Sequence, residues 1–267
     1  MPSIKNPSIK FIFLLFVFFI FGYSFNYFIN SKTNKEEITN YLKNHPEEIE
    51  IFINLAEEIL IDKRDEIQKN IIDQSKLFLE NQKFYIGNPN GTKIIYEFFD
   101  YNCGYCKRVF SDLMELVSED KNIKIVFIEL PVLGQSSLLA SKAAYEAFNE
   151  GKYFEMHQKL INHRGKITID NIKTFASEIN IEPNLLIEKM NKLDVGFIEE
   201  NYILADKLDI NGTPTFIINK NVIPGAIDKA SILRLLSSNW HIWLSQRVDA
   251  ISNKRLDIVM IRKNNNV

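Results

Sequence analysis

Cysteine is nearly absent from this chain: 267 residues hold two, Cys103 and Cys106, three positions apart. With no third cysteine, a closed zinc site would have to recruit His157 and His163, an H-x5-H pair far away in sequence. Glycine and proline are also scarce, at 10 and 8 residues, which argues against long disordered linkers. Neither sign of charge dominates. The 32 Lys and Arg stand against 34 Asp and Glu, a formal net charge of −2, and no basic patch marks a nucleic-acid partner. No glycine-rich phosphate loop and no internal repeat occur. What the chain does have is apolar residues, 46% of the total, enough for a substantial core.

The two cysteines sit in Glu97-Phe98-Phe99-Asp100-Tyr101-Asn102-Cys103-Gly104-Tyr105-Cys106. Residues 92–99 before them are β-branched and aromatic, the composition of a buried strand. After them Val109, Phe110, Leu113, Met114 and Val117 recur at the spacing of an amphipathic helix. The motif therefore falls where a strand turns into a helix. Cys103 stands at the helix start, where free amides and the macrodipole favour an anion, so its thiol should ionise easily. Cys106 shares its helix face and is placed to close a short disulfide with it. Cys103 is the expected attacking thiol and Cys106 the resolving one.

The N-terminus speaks to the compartment. Lys5 and Lys10 precede the apolar run of residues 11–21, a basic region followed by a hydrophobic one, as in export signals. Gly22 and Ser24 fit a cleavage after Ser24, yet the apolar character continues to Ile29, about the length of a membrane span. Residues 1–30 are thus either a signal peptide or a retained anchor. Either way the remainder faces an oxidising, extracytoplasmic space such as the periplasm. Residues 31–82 are charged and helical, with Asn34 as a cap and Pro46 at a helix start. Ile49, Phe52, Ala56 and Ile59, resumed by Ile67, Ile71 and Phe78, form an apolar stripe suited to self-association.

Further strands are expected at 84–87, 122–130 and 215–219. A Lys220-Asn221 turn leads into residues 222–225, and a last helix begins near Asp228. Residues 136–208 read as almost continuous helix, a helical subdomain inserted between two strands. Residues 246–267 form a mixed basic and apolar tail.

Just before the returning strand stands Asn211-Gly212-Thr213-Pro214-Thr215-Phe216. Together with the C-x-x-C motif and the helical insert, in this order, it resembles the DsbA-like branch of the thioredoxin superfamily over about residues 84–245. The resemblance implies an α/β thioredoxin fold in a domain of residues 83–245, and an exported thiol–disulfide oxidoreductase without a bound cofactor. It implies that Pro214 is cis against the redox site and that Thr213 offers its backbone to substrate. Glu97 matches a buried acid near the resolving cysteine, and its strand position favours a raised pKa. Lys107 and Arg108 are lesser candidates for holding a thiolate, and Asp100 for capping the motif turn. The implied partners are unfolded or misfolded secreted proteins and a membrane redox partner. The helical extension resembles a subgroup that oligomerises, some members of which are isomerases. Thr213 and this extension tilt the expected direction toward isomerisation. A non-catalytic surface binding protein with a structural disulfide is the rival from another class.

Overall fold

The computed structural model describes residues 32–194 and 196–237. The expected signal or anchor at 1–30 and the tail at 246–267 lie outside them. Among the described residues no helix is long and apolar enough to cross a membrane. The chain divides into two compact units, residues 1–63 and 64–267.

The first unit contains α1 (Lys32–Asn44) and the beginning of α2 (Pro46–Gln74). Pro46 opens α2, where its missing N–H costs nothing and its fixed φ suits the helix. The charged run Asp62 to Asp65 interrupts the apolar stripe but not the helix, which continues for 29 residues. On α1 and the first part of α2, Ile38, Tyr41, Ile51, Ile53, Leu55, Ile59, Leu60 and Ile61 are exposed. Ile49 and Ala56 are half-buried, and the Phe52 side chain lies outside the described set.

The second unit is built on a five-stranded sheet in the order β1-β3-β2-β4-β5. Its strands are β1 (Tyr85–Gly87), β2 (Lys93–Phe99), β3 (Ile123–Glu129), β4 (Thr215–Ile218) and β5 (Asn221–Pro224). Central β2 and β3 pair in parallel, and the other neighbours are antiparallel. Gly87 ends β1 with φ +87°, and a Cβ there would lie 2.4 Å from the Ile123 carbonyl oxygen, so only glycine fits. The hairpin turn falls one residue earlier than expected, on Asn219 and Lys220. Both have positive φ (49° and 63°), as a two-residue hairpin turn demands.

Side chains alternate across β2. Ile95 and Phe99 point into the larger core with α4 (Gly104–Glu119) and the helices α5 (Gln135–Asn149), α6 (Tyr153–Asn162), α7 (Ile169–Glu178) and α8 (Pro183–Lys192). The last helix, α10 (Lys229–Leu236), seals that face with Ile232 and Leu235. Phe98 points the other way, into a second core with Ile128, Leu204, Leu208 and Ile217. Here the sequence expectation is refined. The insert's last helix, α9 (Gly196–Lys207), does not join the subdomain of α5–α8 but covers the opposite face of the sheet. The end of α2, with Ile72, and the short α3 (Lys76–Glu80), with Leu79, cover it too.

Candidate active site

Strand β2 ends at Phe99, and the chain turns through Asp100, Tyr101 and Asn102 into α4. Asp100 pins that turn. Its Oδ1 accepts from the Asn102 amide and the Ser137 hydroxyl, each at 2.7 Å, and its Oδ2 from the Leu133 amide at 2.9 Å. The buried carboxylate is therefore a structural clamp between the motif and the β3–α5 connection. Cys103 then occupies the N-cap of α4, with extended backbone angles (φ −73°, ψ 116°). Its sulfur makes no strict capping hydrogen bond. The amides of Tyr105 and Cys106 nevertheless point toward it and favour its anion.

The two thiols are unbonded and differ in setting. Cys103 is 6% exposed and Cys106 1%. As a thiol, Cys103 donates to the Thr213 carbonyl oxygen at 3.1 Å. As a thiolate it accepts first from the Cys106 thiol, then from the Thr213 side chain and the two amides. These interactions outweigh burial and lower its pKa to about 5. Cys106 moves the opposite way. Burial, its donation to Cys103 and the nearby Glu97 charge push it far above the usual thiol range. The pair thus separates into one readily ionised sulfur and one that holds its proton.

The Thr213–Pro214 peptide is cis. Thr213 is half-buried between Cys103 and a cleft of about 500 Å3. Glu97 pairs in register with Phe216 of β4 and is 3% exposed. Strand alternation puts it on the α4 side with Ile95 and Phe99. Burial first, and then the Cys103 charge, raise its pKa well above the ordinary carboxylate value. All five residues singled out from sequence thus meet around the start of α4 and the end of β2.

Neither basic candidate hydrogen-bonds the sulfur, although the Lys107 charge interacts favourably with the Cys103 thiolate. The Lys107 ammonium donates to the His163 carbonyl oxygen, tying α4 to the end of α6. The Arg108 guanidinium lies over the Tyr105 ring, 4.9 Å from its centroid. Nor do the histidines converge. His157 is buried among Phe99, Tyr101, Phe110 and Phe127, whereas His163 caps α6 and faces Phe175. Among the described residues no group of three or more His, Cys, Asp or Glu side chains is placed to hold a metal ion.

One cluster escaped the sequence reading. The Tyr101 hydroxyl lies 3.4 Å from Glu129 Oε1 and 3.0 Å from His157 Nδ1, and the Tyr153 hydroxyl 3.4 Å from the same nitrogen. Burial pushes Glu129 up to about 8 and His157 down to about 3, so both are neutral at pH 7.

A family model described as thioredoxin matches residues 80–238. A thioredoxin-like oxidoreductase from Silicibacter pomeroyi superposes with a TM-score of 0.57 and 32% identity, over 61% of this chain and 94% of that one. The thiol–disulfide exchange protein alpha-DsbA2 from Wolbachia pipientis superposes with a TM-score of 0.56 and 29% identity, over 71% and 98%. Disulfide bond formation protein D of Bacillus subtilis is 27% identical over 156 residues, 54% of this chain and 70% of the relative. The chain also matches the Na(+)/H(+) antiporter NhaA 1 of Salinispora arenicola, 27% identical over 128 residues, but spans only 20% of that protein's length. The chain belongs to the thioredoxin family, and its redox domain is similar to DsbA-like thiol–disulfide exchange proteins.

Proposed function

We propose that the protein exchanges thiols and disulfides with exported proteins through Cys103 and Cys106. The observation that carries this reading is the opposed ionisation of the two sulfurs, with Cys103 at the α4 N-terminus lowered to about 5 and Cys106 raised. In the oxidising direction a substrate thiolate attacks Cys103 Sγ of the Cys103–Cys106 disulfide. A substrate–Cys103 disulfide forms and Cys106 leaves as a thiolate, which takes a proton. A second substrate thiolate attacks the substrate sulfur, forms the substrate disulfide and releases Cys103 as its stabilised thiolate. Two electrons pass to the enzyme, and a redox partner must remove them. In the isomerising direction the reduced Cys103 thiolate attacks a wrong substrate disulfide, and no net electrons are transferred.

Glu97 serves as the proton exchanger for Cys106, since burial raises its pKa well above the ordinary carboxylate value and brings its proton affinity toward that of a thiol. Thr213 presents its backbone to substrate beside Cys103, and Pro214 shapes that edge. Export rests on the basic and apolar pattern of residues 1–24 and is supported by the extracytoplasmic use of such chemistry. The domain limits follow the same reading, with a redox domain at 83–245 and a helical extension at 31–82.

The exposed apolar side chains of α1 and early α2 support self-association through that extension, which favours isomerisation by presenting several sites to one misfolded chain. The test compares recovery of a scrambled disulfide protein with oxidation of a reduced one, and measures mass by light scattering. Turnover in either assay is expected, lost in Cys103→Ser. Inertness in both would leave the fold as a binding module, and a monomer at tens of micromolar would remove the case for self-association.

A further inference from the structure

The redox domain does not build its cleft alone. Late α2 contributes a wall bearing Arg64 and Gln68, opposite Thr213 and alongside Tyr105, Asp209 and Pro224. This part of α2 belongs to the same compact unit as the sheet. Gln68 Nε2 donates to the Leu208 carbonyl oxygen at 2.6 Å, just ahead of the loop that carries Thr213. One turn further, Ile72 is buried in the second core, and Asp73 pairs with Lys220 at 2.6 Å. The helix is therefore held by three contacts on two successive turns after Arg64, which lines the cleft.

The cleft adjoins the reacting sulfur through Thr213, which lines it and whose carbonyl oxygen is 3.1 Å from Cys103 Sγ. A substrate segment laid along Thr213 must run its residues next to the reacting cysteine past this wall. Two charged side chains line it. Asp209 is already engaged, its Oδ1 accepting from Asn211 Nδ2 at 2.8 Å. Arg64 is exposed and offers a planar fork of donors that matches a carboxylate. Arg108, the next guanidinium along, is turned onto the Tyr105 ring.

We infer that Arg64, supplied by the helical extension, is a specificity-determining residue that selects substrate segments carrying an Asp or Glu close to the reacting cysteine. The inference rests on the redox reading of Cys103 and deepens it. The remaining wall, with Ile210, Val222 and Pro224, is apolar and suits the neighbouring side chains of an unfolded chain.

The test uses the full-length protein and two cysteine peptides identical except for Glu or Lys beside the cysteine. The readout is the ratio of their kcat/KM values. The wild type is expected to prefer the Glu peptide by about threefold to fivefold, the size of one partly exposed ion pair. Arg64→Ala should abolish the preference for Glu and Arg64→Glu should invert it, and 0.5 M salt should shrink the wild-type preference. Loss of packing alone would slow both peptides equally and leave the ratio untouched. A ratio that stays the same in Arg64→Glu while dithiothreitol still exchanges with the wild type overturns the role of Arg64 and spares the redox reading. Failure of the wild type to exchange even with dithiothreitol overturns both.

Discussion

The proposed division of labour between the sulfurs is open to direct measurement through the Cys106 thiol, the largest contributor to the low Cys103 pKa. With a pKa of about 5, Cys103 is about 76% thiolate at pH 5.5, whereas an ordinary thiol near 8.5 is only ~0.1% ionised. That is a gain of roughly 750-fold in the reactive species. Intrinsic nucleophilicity falls with pKa, with a Brønsted slope of about 0.4–0.5, so 3.5 units of acidity give back roughly 25- to 55-fold. Alkylation of Cys103 at pH 5.5 should therefore outrun that of free cysteine by about 15- to 30-fold. At pH 7 the ionisation gain is only about 30-fold and the two rates should be nearly equal. Replacing Cys106 by Ala removes the donor and must raise the Cys103 pKa. Cys106→Ser keeps a hydroxyl donor and should raise it less. Thiolate absorbance near 240 nm, with iodoacetamide kinetics from pH 4 to 9, reads both. A wild-type midpoint near 8.5, or identical midpoints in wild type and Cys106→Ala, would refute the reasoning.

Cys106→Ser should accumulate mixed disulfides with substrate proteins and Cys103→Ser almost none, which non-reducing electrophoresis distinguishes; equal accumulation would reverse the assignment of the nucleophile. Thr213→Val removes a hydroxyl that supports the thiolate, so the Cys103 midpoint should rise, as the same absorbance titration shows. Glu97→Gln should slow the step that ionises Cys106 on the order of 10²-fold, visible in single-turnover kinetics, because the proton exchanger is gone. The two thiols should also add a pH dependence to stability that the oxidised form lacks. Between about pH 5 and 8.5 the unfolded Cys103 keeps its proton and the folded one does not, so reduced-state stability rises with pH. Above about 8.5 the unfolded Cys106 ionises while the folded one does not, so stability falls again. A reduced-minus-oxidised difference in Tm that is flat from pH 5 to 8 would contradict this.

Much of the site was legible because its signals are local. The β2 pattern, the amphipathic run after Cys106 and the placement of Cys103 at a helix start need only neighbouring residues. Thr213 and Pro214 were reached through the family resemblance, since the bare sequence favours a trans peptide. What stayed hidden depends on long-range meetings. Ile71 and Phe78 lie on a stripe that reads as an oligomer seam, yet both pack against the second core beside the buried Ile72. Gln68 meets Leu208 across 140 positions, and no periodicity announces such a contact. Tyr101, Glu129 and His157 are 28 and 56 residues apart and assemble only when β2, β3 and α6 pack. From sequence His157 entered only as a residue that a zinc site would have to recruit together with His163.

The first unit poses a different physical problem. At about 100° per residue, Ile51, Leu55 and Ile59 occupy one side of α2, while Ile53 and Leu60 lie far around it. With Ile49 and Ala56 between them, these apolar residues span roughly 200°, and the exposed Ile61 falls beyond that arc among Glu50, Asn54, Glu57 and Glu58, so this part of α2 has no single narrow seam. A two-helix seam buries only a narrow stripe of a and d positions, so a simple pair would leave half of this arc in water. Each large apolar side chain gains roughly 1.5–3 kcal/mol on full burial, and these are about half exposed, so about 1 kcal/mol per residue remains to be gained. A handful of such residues from each of two chains barely matches an association cost of about 4–15 kcal/mol. A bundle of more than two helices encloses a wider arc and multiplies the gain with each added chain. For the self-association proposed above, this spread of apolar residues favours a bundle of more than two helices, and a dimeric mass by light scattering would refute that.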